Sequence, residues 1–236
     1  MTDTSQPNSP TQDSAEIDAA LLADVKDAVE ERDTRWLART LQRMHPADAA
    51  DLLEQLPYDA FEEAVELLGG ELPPDILIEL RDTYREGAVD MLPDHAVANA
   101  LDELDSDDAT TILDDLDDDR RERILEDLAP IDRAQLERGL AYEEETAGRL
   151  MQTEFVALPE FWTVGQSIDY SRKLGTELPE VFYEVYVTDP AHRLIGVVSL
   201  ATLLRSPRDT PLSDIMEDPM SSITTDMDQE EVAYQF

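Results

Sequence analysis

The chain has 236 residues, with 18 Lys+Arg against 56 Asp+Glu and a formal net charge of −38. A surface this acidic excludes a nucleic-acid-binding face, which needs cations to displace counterions from phosphate, and it opposes attraction to an anionic membrane. No apolar run approaches the roughly 18 residues of a transmembrane helix, and with no cysteine there are no disulfides, thiolate metal sites or cysteine nucleophiles.

Residues 1–15 (MTDTSQPNSPTQDSA) lack apolar periodicity and read as a disordered tail. From 16 to 142 the pattern is helical throughout: apolar residues recur every three or four positions, and breaks fall at Pro46, Pro57, Pro73, Pro93 and Pro130. Within this region ALDEL (100–104), ILDDL (112–116) and ILEDL (124–128) recur at a 12-residue spacing, with LLEQL (52–56) further upstream. Each string places its apolar side chains on one face of a short helix, preceded by Asp or Ser suited to an N-cap. Such helices are marginal alone and gain stability by stacking on one another, the logic of a superhelix.

The charges have their own pattern. Lysine occurs only at Lys26 and Lys173 and arginine fills the other basic positions, while 114–119 is almost solid carboxylate. Dense like charge repels itself and is screened by salt, so most of these acids read as a halophilic adaptation.

Beyond Tyr142 the texture becomes α+β. A short strand is expected near 154–157, then a helix capped by Thr163 through Val164, Ile168 and Leu174. Two β-rich segments follow, VFYEVYVTD (181–189) and RLIGVVSL (193–200), and then a short helix at 201–205. The unit begins again: Leu150-Met151, Val156 and Thr163 are echoed by Ile215-Met216, Ile223 and a helix from Asp228. The second copy reaches Phe236 within its first helix, so a fragment of a longer protein is expected, with little order beyond Asp226.

YEEETAGRLMQTEFVAL (142–158), VTDPAHRLIGVVSL (187–200) and TTDMDQEEVA (224–233) together resemble the cytosolic part of MgtE magnesium transporters. The resemblance implies a mainly α fold in which a superhelix of short helices (16–142, the MgtE N domain) precedes an α+β CBS domain (143–205) and the start of a second, incomplete CBS domain (206–236). It implies a cytosolic Mg²⁺-sensing regulatory region at the cytoplasmic face of the membrane, in which Mg²⁺ bridging the N and CBS domains closes the pore. Partners implied are Mg²⁺, a transmembrane pore domain of the parent chain and a second copy through the CBS domains; the isolated region would be a soluble cytoplasmic fragment.

The same resemblance suggests metal ligands. Asp107 falls where an N-domain carboxylate shares an ion with the CBS region, with Asp108 beside it. Asp228 and Glu230 match acids associated with bound Mg²⁺, and Arg149 stands where the family presents a backbone carbonyl. One turn beyond Asp108, where the family can offer another acid, this chain has Thr111. Each acid also has a structural role open to it: Asp107, Asp108 and Asp228 all suit the first turn or cap of a helix.

Two other readings remain open. CBS pairs often bind adenine nucleotides, but the acid that commonly contacts ribose after the last strand is here Thr202, in Ser199-Leu200-Ala201-Thr202. A soluble helical-repeat scaffold for another protein is the other. An enzyme is not indicated: His45, His95 and His192 lie apart, with no metal-ligand spacing and no nucleophile elbow, and Trp36 and Trp162 read as packing residues.

Overall fold

The computed structural model describes residues 19–175, 178–179, 181–219 and 222–235, so the expected tail at 1–15 lies outside the described residues. The chain divides into two compact units, Met1–Leu104 with Thr111–Leu128, and Asp105–Thr110 with Ala129–Phe236.

The first unit is helical: α1 (Ala19–Glu30), α2 (Thr34–Leu41), α3 (Pro46–Glu54), α4 (Tyr58–Leu68), α5 (Pro74–Glu79), α6 (Asp82–Met91), α7 (Asp94–Glu103), the later residues of α8 (Ser106–Asp114) and α9 (Asp118–Asp127). The prolines open helices: Pro46 is the first residue of α3, and Pro57, Pro73 and Pro93 are the caps of α4, α5 and α7. Proline suits these positions because its fixed φ begins a helix and its missing N–H would lack a partner there anyway. Of the repeated apolar positions, Leu52, Leu53, Leu56, Ala100, Leu101, Ile112, Leu113, Leu116, Ile124, Leu125 and Leu128 are buried, and Leu104 is half-buried. Asp117 caps α9 by accepting from the Arg120 N–H at 2.9 Å.

Arginines then tie one helix to the end of another. Arg120 donates to the Val89 carbonyl at 2.8 Å, to the Leu92 carbonyl at the end of α6, and to Asp94 at 2.9 Å. Arg121 donates to the carbonyls of Leu113 (2.7 Å) and Leu116 (2.9 Å), and Arg85 reaches the Leu80 carbonyl and the Asp115 carboxylate. The last carbonyls of a helix lack intrahelical donors, and the guanidinium supplies several at once in a planar fork.

The second unit holds the first residues of α8, then α10 (Pro130–Leu140), β1 (Ala157–Pro159), α11 (Val164–Leu174), β2 (Glu184–Thr188), β3 (Leu194–Ser199), α12 (Leu200–Arg205) and α13 (Gln229–Ala233). β1 pairs in parallel with β2, with α11 as the crossover, and β2 pairs antiparallel with β3. Thr163 caps α11 in a reciprocal capping box with Gln166. Val156, Leu158, Val164, Val185, Val187, Val198, Leu203 and Leu212 form the core.

Strand limits differ from expectation. β1 starts at Ala157 rather than near Glu154, because Thr153 and Glu154 turn instead to Ser106. β2 starts at Glu184 rather than Val181: β3 ends at Ser199, the partner of Glu184, and α12 takes over there. The expected second-copy strand at Ile223 does not form among the described residues, whereas the helix expected from Asp228 does, as α13.

Candidate functional site

The connecting segment between α10 and β1 is the place where the sequence-marked residues collect, all within the second unit. Its first half makes a tight turn. Thr146 is buried and donates its hydroxyl to the Glu143 carbonyl at 2.7 Å, and its own carbonyl accepts from the N–H groups of Arg149 and Leu150. Glu145 adopts a left-handed φ of 59°, a conformation that costs a side-chain-bearing residue about 1 kcal/mol. Gly148 has no room for a methyl group: a Cβ would stand 2.5 Å from the Tyr142 ring and 2.9 Å from the Thr225 carbonyl.

That turn docks the carboxy-terminal stretch. Ala147 N–H donates to the Met227 carbonyl and Gly148 N–H to the Thr225 carbonyl, each at 2.8 Å, and Gln229 N–H donates back to the Glu145 carbonyl at 2.8 Å. Thr146 and Asp228 thus form an antiparallel bridge. Asp228 caps α13, its Oδ1 accepting from the Glu230 N–H at 2.8 Å, and both acids are exposed. Asp228, Glu230 and the Arg149 backbone are therefore brought into one neighbourhood.

The second half of the segment docks the start of α8. Ser106, its first residue, donates both N–H and hydroxyl to Glu154 (3.1 and 2.9 Å), and Thr153 N–H donates to the Ser106 Oγ at 3.0 Å. Asp107 and Asp108 follow in the first turn of α8, half-buried. Burial pushes the Glu154 carboxyl up, but the hydrogen bonds from Ser106 and Thr153 outweigh it and hold the group below the usual carboxylate range. A cavity of about 460 Å³ adjoins this junction, lined among others by Thr110, Gln135, Arg138, Tyr142, Arg149 and Thr153.

Hard divalent cations take oxygen ligands, and Mg²⁺ keeps several of its waters, so one or two carboxylates suffice to hold it. Two pairs of carboxylates stand near the connecting segment: Asp107 and Asp108 in the first turn of α8, and Asp228 and Glu230 at the start of α13. Among the described residues no group of three or more His, Asp or Glu converges on one point, so a site closed entirely by side chains is not formed. A second cleft, of about 810 Å³, lies beside the sheet and is lined by Phe155, Val181, Tyr183, Tyr186, His192 and Ile223 among others. At the end of β3, Ser199 Oγ accepts from the Thr202 N–H and donates to its hydroxyl, so this pair closes on itself as a helix cap.

Glu154, Ser106, Thr153 and Gln135 were not legible as site residues. Ser106 carries a cap signature, but its partner is 48 residues away in the chain and no local pattern joins them.

The family of MgtE intracellular N domains matches residues 44–145. The magnesium transporter MgtE of Thermus thermophilus is 31% identical over 222 residues, 92% of this chain and 49% of that protein. MgtE of Enterococcus faecalis is 38% identical over 102 residues, 43% of this chain and 22% of that one. A crystal structure of the cytosolic domain of the Mg²⁺ channel MgtE in complex with ATP superposes with a TM-score of 0.79 at 32% identity, covering 91% of this chain and 88% of that one. The chain belongs to the MgtE family. A second structure, the soluble part of a magnesium transporter, gives a TM-score of 0.74 at 25% identity, covering 91% and 84%. The chain spans at most about half the length of the curated MgtE proteins it matches. Among the described residues no helix is long and apolar enough to cross a membrane.

Proposed function

We propose that this chain is the Mg²⁺-sensing cytosolic regulatory region of a magnesium transporter, which favours the closed pore when intracellular Mg²⁺ draws its acidic surfaces together. In this reading 16–142 is the N domain, 143–205 the first CBS domain and 206–236 the start of the second. Asp107, Asp108, Asp228, Glu230 and the Arg149 carbonyl are the ion-binding groups, at the cytoplasmic face of the membrane, in a parent protein that dimerises through CBS domains. The observation that carries it is the connecting segment: one stretch from 145 to 154 holds the start of α8, with Asp107 and Asp108, at one end and the Asp228–Glu230 stretch at the other. When bound, the ion neutralises carboxylates that otherwise repel; the chain's own part is to hold those carboxylates at fixed backbone positions.

Magnitudes favour several weak sites. Moving a two-state equilibrium from 1:99 to 99:1 takes about 5.5 kcal/mol of differential binding. One ion at ten times its dissociation constant supplies only about 1.4 kcal/mol. Small-angle scattering at fixed high ionic strength, titrating Mg²⁺ against matched Na⁺, tests the reading. Compaction specific to Mg²⁺ and reduced in Asp107→Ala supports it; equal compaction by both ions, unchanged in the variant, would leave only a screened acidic surface.

A second reading, adenine-nucleotide sensing, draws on the ATP complex of the related cytosolic domain and on the aromatic cleft beside the sheet. Thr202, bonded to Ser199 where an acid commonly meets ribose, weighs against it. A rise in melting temperature with ATP in the presence of EDTA favours it over the ion reading.

A further inference from the structure

The junction that carries two of the sensor acids is held by a third carboxylate, which that reading leaves without a task. Glu154 receives four hydrogen bonds. Its Oε2 accepts from Ser106 N–H (3.1 Å), Ser106 Oγ (2.9 Å) and Thr153 N–H (3.2 Å). Its Oε1 accepts from Gln135 Nε2 (2.6 Å) and lies 3.3 Å from Thr153 Oγ1. The ring is closed by Gln135 Nε2 donating to Thr153 Oγ1 (2.6 Å) and Thr153 Oγ1 donating to Ser106 Oγ (2.8 Å). It therefore joins three pieces of chain: the first residue of α8, the middle of α10 and the approach to β1.

The proton inventory suits an ionised group at its centre. Each hydroxyl carries one hydrogen and the Gln135 amide two: the Thr153 hydrogen serves Ser106 Oγ, the Ser106 hydrogen serves Glu154, and the amide pair serves Thr153 and Glu154. An acceptor with two bare oxygens satisfies them; a carboxamide would turn its own N–H₂ toward donors. No cation is among these four donors, so neutral dipoles hold the charge. A carboxylate at a helix N-terminus is favourable in itself.

We propose that Glu154 is a positioning residue for the Mg²⁺ response: by clamping Ser106 to the segment before β1, it fixes where Asp107 and Asp108 stand before any ion arrives. The inference rests on the sensor reading and adds a residue to it. A clamp of this kind raises ion affinity by removing the cost of ordering the ligands when the ion binds.

The test uses Glu154→Gln, the milder Ser106→Ala, and Asp107→Asn as a reference, with two readouts. The first is amide exchange at Ser106 and Thr153 without Mg²⁺; the second is the Mg²⁺ midpoint of the scattering change at fixed ionic strength. Glu154→Gln is expected to speed both amides and to raise the midpoint about tenfold, the scale of losing hydrogen bonds to a charged group. Ser106→Ala should move both in the same direction by less, which keeps the test decisive should Glu154→Gln fold poorly. Asp107→Asn should lose much of the Mg²⁺-specific response while leaving the amide protection intact. A Glu154→Gln protein with faster exchange or a lower melting temperature but an unmoved midpoint would make the ring a structural cap only and overturn the proposal. If Asp107→Asn keeps the wild-type response, the sensor reading itself fails, and the positioning role falls with it.

Discussion

The two units differ in how they finish their surfaces. Among the described residues, Tyr58 is the one large apolar side chain left exposed in the first unit, whereas the second exposes Ile131, Phe155, Phe161, Val181, Tyr183 and Tyr234 among others. The first unit stacks helices through leucine and alanine stripes and closes helix ends with buried or half-buried guanidinium groups. The second rests on a three-stranded sheet and a smaller core, with a polar ring at one corner. Arginine thus has a structural use that the composition alone hides. Arg85, Arg120 and Arg121 satisfy carbonyls and carboxylates together, which a single ammonium cannot do in the same plane. Preference for arginine over lysine is in part a property of this packing, alongside any adaptation to salt.

The largest effect that would break the comparison is the loss of Arg120. Its side chain is only 10% exposed and serves the Val89 and Leu92 carbonyls as well as Asp94. Arg120→Ala leaves those acceptors without their donor and should cost the first unit about 3–5 kcal/mol in denaturant unfolding, with the second unit's transition unmoved. Arg120→Lys should recover less than half. The hydrogen bond from Arg120, with help from Arg123, also holds the Asp94 carboxyl below the usual range. Its folded pKa is depressed, so that contribution is complete above the unfolded carboxylate pKa and is lost as pH falls through the folded one. The acid limb of the variant's stability profile should be correspondingly flatter than the wild type's.

A smaller effect is expected in the second unit, at Gly148. An added methyl would meet the Tyr142 ring and the Thr225 carbonyl, and the Gly148 N–H is bonded to that same carbonyl, so the backbone has little freedom to retreat. Gly148→Ala should cost about 1–3 kcal/mol, the range for overpacking, and should speed amide exchange at Gly148 and Gln229. Adding Tyr142→Ala removes the nearer obstacle, so the double variant should lose less than the sum of the two singles. Strict additivity would mean that the ring is not what limits the space.

Local rules carried most of the fold. The prolines opened α3, α4, α5, α7 and α10, Thr163 capped α11 as its spacing with Gln166 implies, and the 12-residue leucine pattern marked the buried faces of α8 and α9. These signals lie within a helical turn or two of their effect. The strand ends were legible only approximately, because where a strand stops depends on its partner: β2 begins where β3 offers Ser199. The site divides in the same way. Asp228 as a cap was readable from four residues, but the ring around Glu154 joins positions 106, 135 and 154, and no periodicity brings those together before the chain has folded.

The smallest effect sharpens the comparison between the units through a feature they share. Arg32, in the turn between α1 and α2, and Glu145, in the docking turn of the second unit, hold left-handed φ values of 56° and 59°. Glycine adopts that region freely, so Arg32→Gly and Glu145→Gly each relieve backbone strain worth about 1 kcal/mol, less what glycine loses in unfolded-state entropy. The charge changes are opposite. In a chain of net charge −38, removing Glu145 lowers self-repulsion and removing Arg32 raises it. At low ionic strength Glu145→Gly should therefore raise the melting temperature of its unit by a few degrees, while Arg32→Gly should change its own little. Near 1 M salt the screening length falls to about 3 Å and the two gains should converge on the strain term alone. Glu145→Gln separates the contributions directly: it removes the charge and keeps the strained backbone, so it should match the glycine variant's salt-dependent part and none of the remainder. If Glu145→Gln reproduces the whole gain at every salt concentration, strain contributes nothing at this turn, and its left-handed residue is then no more than a convenient way to bring the Glu145 carbonyl to Gln229.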